Sequence, residues 1–157
     1  MKTVQTTLLY LFREHQVLMA MKKRGFGVGK YNGIGGKLEP GETVELAMVR
    51  ETQEEIRVTP TGYQKCGVLD FDMYYKGEHI LETVHVFTCD AFAGEPCETD
   101  EMRPIWFDYN KIPYDQMYQT DKIWLPLILE KRGYLEGVFR FGNDLDSKLI
   151  DYELKVK

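Results

Sequence analysis

Two runs near the start of the chain, TVQTTLLYLF over 3–12 and QVLMAMK over 16–22, are dense in β-branched and large apolar residues, and the polar Arg13-Glu14-His15 parts them. That pattern predicts a β-hairpin. From Arg24 to Gly41 the periodicity disappears, because seven glycines and one proline interrupt RGFGVGKYNGIGGKLEPG. Such a segment is a loop, and so little side chain suits a backbone that approaches another group closely. Residues 42–57 (ETVELAMVRETQEEIR) contain no Gly or Pro and are rich in helix formers, with Pro40-Gly41 before and Pro60 after. They predict a helix. Strands are expected at 63–75 and 80–92 with a turn at Lys76-Gly77-Glu78, and another at 102–108. A second helix is expected over 120–131, ended by Gly133, and GYLEGVFRF with KLIDYELKV forms a closing hairpin around Gly142-Asn143-Asp144. Strands outnumber helices and the first helix sits between strand pairs, so the class is α/β with a curved mixed sheet and helices on its faces.

The 157 residues suffice for one core, and no repeat or linker divides them, so residues 1–157 are read as a single domain. The net charge of −5 comes without a long run of Lys or Arg, which argues against a sequence-independent grip on a nucleic-acid polymer. Acidity still permits a phosphorylated small molecule, since carboxylates that hold divalent cations invert the local sign. Cys66, Cys89 and Cys97 form no CxxC pair, so neither a disulfide framework nor a zinc site is expected. No stretch approaches the roughly 18 apolar residues of a membrane span, and no signal-peptide pattern opens the chain. A cytoplasmic monomer without a membrane partner is the expectation.

Candidate chemistry centres on Glu51, Glu54 and Glu55. Spaced three and four residues apart, they fall within an arc of roughly 100° on one helix face. Repulsion there is relieved by a hard divalent cation, although Glu-rich faces are most often merely solvated. On the helical wheel they share a side with Val44, Ala47 and Met48, whereas Leu46, Val49 and Ile56 are expected opposite. The spacing Gly36, five residues, Glu42, seven residues, Arg50-Glu51-Thr52-Gln53-Glu54-Glu55 resembles the Nudix box. Thr52 stands where the family has an aliphatic residue, and Arg57 where it has glycine. The missing glycine is expected to change how the helix ends without removing a carboxylate.

The likeness to Nudix hydrolases of the MutT type continues through 21–43, 84–90, 98–107 and 123–131. It implies an α/β/α sandwich that hydrolyses oxidised purine nucleoside triphosphates of the 8-oxo-dGTP kind to the monophosphate and pyrophosphate. Magnesium, with manganese as substitute, would be held by Glu51, Glu54, Glu55 and the Gly36 carbonyl, with Glu101 as a further carboxylate. Arg50 is expected to pair with Glu42 and orient the cluster, and Lys22 and Lys23 to meet phosphates. By the same resemblance the base pocket is lined by Thr7, Phe26, Asn32, Phe71, Met73, Tyr118, Asp121 and Trp124. Stacking on aromatic walls and an edge read by Asn32 and Asp121 suit a purine, while aromatics in such runs also suit plain core packing. Thr120, Tyr118 and Met73 replace an aspartate, a tryptophan and a phenylalanine of the mammalian members, which predicts a narrower or shifted base preference. Two other readings stay open: a Nudix pyrophosphohydrolase for another nucleotide, and a non-catalytic nucleotide-binding domain. GFGVGK at 25–30 lacks the spacing of a phosphate-binding P-loop, and His15, His79 and His85 lack metal-ligand spacing.

Overall fold

The computed structural model describes residues 1–25, 27–143 and 147–157. Its strands are β1 (Lys2–Arg13), β2 (Gln16–Lys22), β3 (Tyr31–Asn32), β4 (Thr59–Tyr75), β5 (Glu78–Ala93), β6 (Met102–Asp108), β7 (Leu135–Phe141) and β8 (Leu149–Val156). Two α-helices, α1 (Val44–Ile56) and α2 (Asp121–Leu129), complete the fold with two short 3-10 turns at Tyr109–Lys111 and Tyr114–Gln116. The strands follow the order β3-β2-β1-β5-β4-β7-β8, with β6 also paired to β2. Pairing is parallel for β1 with β5 and for β4 with β7, and antiparallel elsewhere. The sheet is therefore mixed, as expected, and bulges near Gly62 and Gly67 bend its longest strand pair.

The first hairpin is shorter than its sequence suggests. Only Phe12↔Val17 and Arg13↔Gln16 pair; beyond them β1 runs beside β5 while β2 turns to β6 and β3. This divergence opens a wedge into which the glycine-rich segment fits.

Alternation along β1 sorts the core. Leu8, Tyr10 and Phe12 join Trp124, Leu125 and Ile128 of α2 on one face, and Leu9 and Leu11 join Met48 and Ile56 of α1 on the other. Both faces of the central strand are thus covered, and the layers are helix, sheet, helix. Thr43 caps α1, its hydroxyl accepting from the Leu46 amide at 3.2 Å.

Two expectations for α1 are corrected. Ile56 is fully buried on the same face as Met48 and Thr52, because it lies four residues beyond Thr52; of the supposed opposite side only Leu46 is open to solvent. Thr52 replaces an aliphatic residue without an unpaired polar group, since its hydroxyl donates to the Met48 carbonyl at 2.8 Å. The helix also ends as it would with glycine: Arg57 adopts φ 62° and ψ 38°, and its amide donates to the Gln53 carbonyl. The closing hairpin is present as β7 and β8, though its expected turn at Asp144 lies outside the described residues.

Candidate active site

The glycine-rich segment lies flat along β1. Thr7 N–H donates to Gly36 O at 2.9 Å, Leu9 and Ile34 exchange bonds of 2.6 and 2.8 Å, and Leu38 N–H donates to Gln5 O at 3.0 Å. A Cβ on Gly35 would sit 1.7 Å from the Thr7 carbonyl oxygen, and one on Gly36 would sit 2.6 Å from the Glu51 carboxyl carbon. Glycine is needed here for close approach, to a strand in one case and to a carboxylate in the other. The Gly36 carbonyl spends one lone pair on Thr7 and keeps the second.

Arg50 is the hub of the carboxylates. Its Nε and Nη2 donate to the two Glu42 oxygens at 2.7 and 2.9 Å, and Nη1 reaches Glu51 at 2.9 Å and Glu54 at 3.2 Å. The fork to Glu42 is the expected pairing, and it holds the Glu42 carboxyl down at about 2. Glu51 is raised from the ordinary carboxylate range by burial, against the pull of Arg50. Glu55 is raised by burial and then by the Glu51 charge, with Glu101 adding to it and Lys22 opposing. Glu55 Oε2 has no hydrogen-bond partner.

Among the described residues no three His, Cys, Asp or Glu side chains form a ready metal cage. Arg50 instead draws Glu51 and Glu54 to itself. The donor set nevertheless fits a hard divalent cation. Glu55 presents an orphaned oxygen, Glu51 and Glu55 repel one another in a partly buried place, and Gly36 leaves the space beside Glu51 open. Glu101 stands at the rim, its carboxylate 3.4 Å from Arg24. Lys23 is committed elsewhere: it bridges to Glu98 at 2.6 Å and donates to Thr99 O at 2.9 Å, so of the two expected lysines Lys22 is the one whose charge acts on Glu55. A groove lined by Arg24, Glu54, Arg57 and Glu101 opens alongside.

The other expected group gathers on the α2 side of the sheet. Asp121 is 3% exposed, and burial pushes its carboxyl up to about 7. Trp124 is 1% exposed and packs edge-on to Tyr10, with ring centroids 6.0 Å apart. Asp121 Oδ2, Trp124 Nε1 and the Tyr10 hydroxyl are buried without a hydrogen-bond partner of good geometry. Tyr118 precedes α2; its hydroxyl is pushed up to about 12 by burial and by the charges of Glu82 and Asp121. Phe71 stacks on Phe139 at 5.2 Å, and Met73 is paired with Ile80. Asn32 is half buried, and its Oδ1 accepts from the Gly33 amide at 2.9 Å. Thr7 does not join this group: one residue out of phase with Leu8, it belongs to the α1 side, its hydroxyl buried and unpartnered. Phe26 lies outside the described residues.

Two residues that the sequence reading passed over also face this region. Lys30 sets its ammonium 5.5 Å over the Tyr118 ring, and Glu82 shares a strand phase with Val84 and a register position with Phe71. A carboxylate set between Ile80 and Val84 in the inward phase of β5 was the available signal for Glu82.

A mixed sheet between helices, with a glycine loop delivering its backbone to a Glu-rich helix, defines a Nudix enzyme. The family model for the NUDIX domain matches residues 1–128, and the chain belongs to this family of hydrolases. It is 48% identical over 150 residues, 94% of each chain, to the oxidized purine nucleoside triphosphate hydrolase of Danio rerio. Its identity to the mouse (Mus musculus) protein of the same name is 39% over 149 residues, 95% of this chain and 92% of that one. Among solved structures a MutT protein from Bacillus halodurans superimposes with a TM-score of 0.83 over 97% of both chains at 23% identity, a likeness of fold. Among the described residues no helix is long and apolar enough to cross a membrane.

Proposed function

We propose that this chain hydrolyses oxidised purine nucleoside triphosphates to the monophosphate and pyrophosphate, clearing them from the nucleotide pool. The carrying observation is Asp121, a buried carboxyl at the start of α2 beside Tyr118 and Trp124. It supports recognition of a purine edge, since a group near 7 accepts from N–H when ionised and donates when protonated. The name carried by relatives that match almost end to end points the same way.

Glu51, Glu54, Glu55, the free lone pair of Gly36 and, at the rim, Glu101 would hold Mg²⁺ or Mn²⁺. Bound there, the cation neutralises phosphate charge and makes water a better nucleophile. Arg50, anchored by its fork to Glu42, keeps Glu51 and Glu54 in position. Lys22 contributes a positive charge beside Glu55. Asn32, Phe71, Met73, Tyr118 and Trp124 shape the base site with Asp121. The enzyme acts as one domain over 1–157, as a cytoplasmic monomer.

Steady-state hydrolysis with Mg²⁺ tests this, comparing 8-oxo-dGTP, 2-hydroxy-dATP, dGTP and dATP with product identification. A kcat/KM advantage of an oxidised base of roughly tenfold or more, with pyrophosphate released, is expected. Equal rates on all four would redirect the assignment to another nucleotide.

A further inference from the structure

The α2 face of the sheet carries a carboxylate that neither the Nudix box nor the Asp121 segment accounts for. Glu82 sits on β5 opposite Phe71 of β4 and beside Val4 of β1. Side chains at paired positions project from the same face of a sheet, so Glu82 emerges on the face that carries Phe71, Met73 and Val84. That face otherwise feeds the apolar cluster around Trp124. Thr6 and the Lys37 charge favour the ionised Glu82 carboxyl, but burial outweighs both and raises it above the ordinary carboxylate range. Tyr118 lies within charge reach of both Glu82 and Asp121. Two carboxyl groups from different elements, one on the sheet and one on α2, thus act on the same tyrosine.

We propose that Glu82 reads the imidazole edge of the bound purine while Asp121 reads its Watson–Crick edge, so that Glu82 selects directly for oxidation at C8. The inference rests on the proposed purine substrate. Its chemical basis is the change that oxidation makes at N7. In guanine N7 is an acceptor with a lone pair, which an acceptor carboxylate repels. In 8-oxoguanine N7 carries a hydrogen and donates, so the same carboxylate accepts a charge-assisted hydrogen bond. A site built around one polar partner rejects the analogue that lacks it far more strongly than an apolar pocket does. Thr120, which cannot ionise, leaves Asp121 as the acid at the start of α2, and Glu82 supplies the second carboxylate from the sheet.

The test needs the full chain and three nucleotides. Wild type should turn over 7-deaza-dGTP, which has C–H in place of N7, faster than dGTP by about threefold or more, because the repelled lone pair is gone. Equal or slower turnover overturns the proposal without any mutation. In Glu82→Gln the amide offers both donor and acceptor, so the kcat/KM ratio of 8-oxo-dGTP to dGTP should fall by about tenfold or more, and Glu82→Asp should recover part of it. A ratio within about twofold of wild type, in a variant with unchanged melting temperature, also overturns it. A wild-type chain that hydrolyses no purine triphosphate defeats the proposed function instead. Calorimetric binding of 8-oxo-dGMP and dGMP to wild type and Glu82→Gln then decides the Glu82 inference, and equal ratios in the two proteins count against it.

Discussion

Arg57 holds a left-handed backbone at the end of α1, where the family uses glycine. For an L-residue with a Cβ that conformation costs roughly 1–2 kcal/mol, part of which glycine returns through its freer unfolded chain. Arg57→Gly should therefore stabilise by about 0.5–1 kcal/mol and raise the melting temperature by about 1–4 °C, readable by calorimetry. Asp121 carries a pH dependence of its own. Its carboxyl is raised by burial from 3.8 to about 7, so between these values the folded state holds a proton that the unfolded state has lost. Its contribution to stability is complete below 3.8 and is lost as pH rises through about 7. Urea titrations across that window should show wild type losing up to about 1.4 kcal/mol per pH unit relative to Asp121→Asn; parallel curves would refute the shift.

At the scale of elements, α1 and the glycine loop form one device. The loop's hydrogen bonds to β1 bring Gly36 to Glu51, and Arg50 ties Glu51, Glu54 and Glu42 together. Arg50→Lys keeps the charge but loses the fork, and kcat should drop about 10–100-fold with little change in melting temperature. Gly36→Ala should cost activity as severely, because its methyl would occupy the space beside the Glu51 carboxylate. Chelation by EDTA should abolish turnover, and added Mg²⁺ or Mn²⁺ should restore it; turnover that persists in EDTA would remove the metal from the proposal. The Arg50–Glu42 pairing was legible in the sequence because both residues lie on one short segment. The wheel sets Ile56 opposite Met48, whereas the two share one buried face in the fold, eight residues apart and so two turns on.

For the whole molecule, the two faces of β1 divide the work. The α1 face gathers the carboxylates that suit a cation, and the α2 face gathers aromatics with Asp121 and Glu82. The outer strand β8 is solvent-facing and is paired by Arg140 to Asp151 and Glu153 at 2.8 and 3.1 Å. Charges along an edge discourage a second chain from adding to it. Sedimentation should give a single species near 18.4 kDa, and a concentration-dependent dimer would contradict the monomer.

Local spacing was enough for the two helices, most strands, the α/β class and the glutamate trio with its arginine, because a helix or strand turns such spacing directly into geometry. The tertiary structure decided what no local pattern contains. It separated β1 from β2 to admit the loop, assigned Thr7 to the α1 face, committed Lys23 to Glu98, and buried Trp124 almost completely. It also brought Glu82 and Asp121 to one tyrosine although they lie on distant segments. Such encounters depend on strand order and register, which the whole chain sets at once through burial of its two apolar faces.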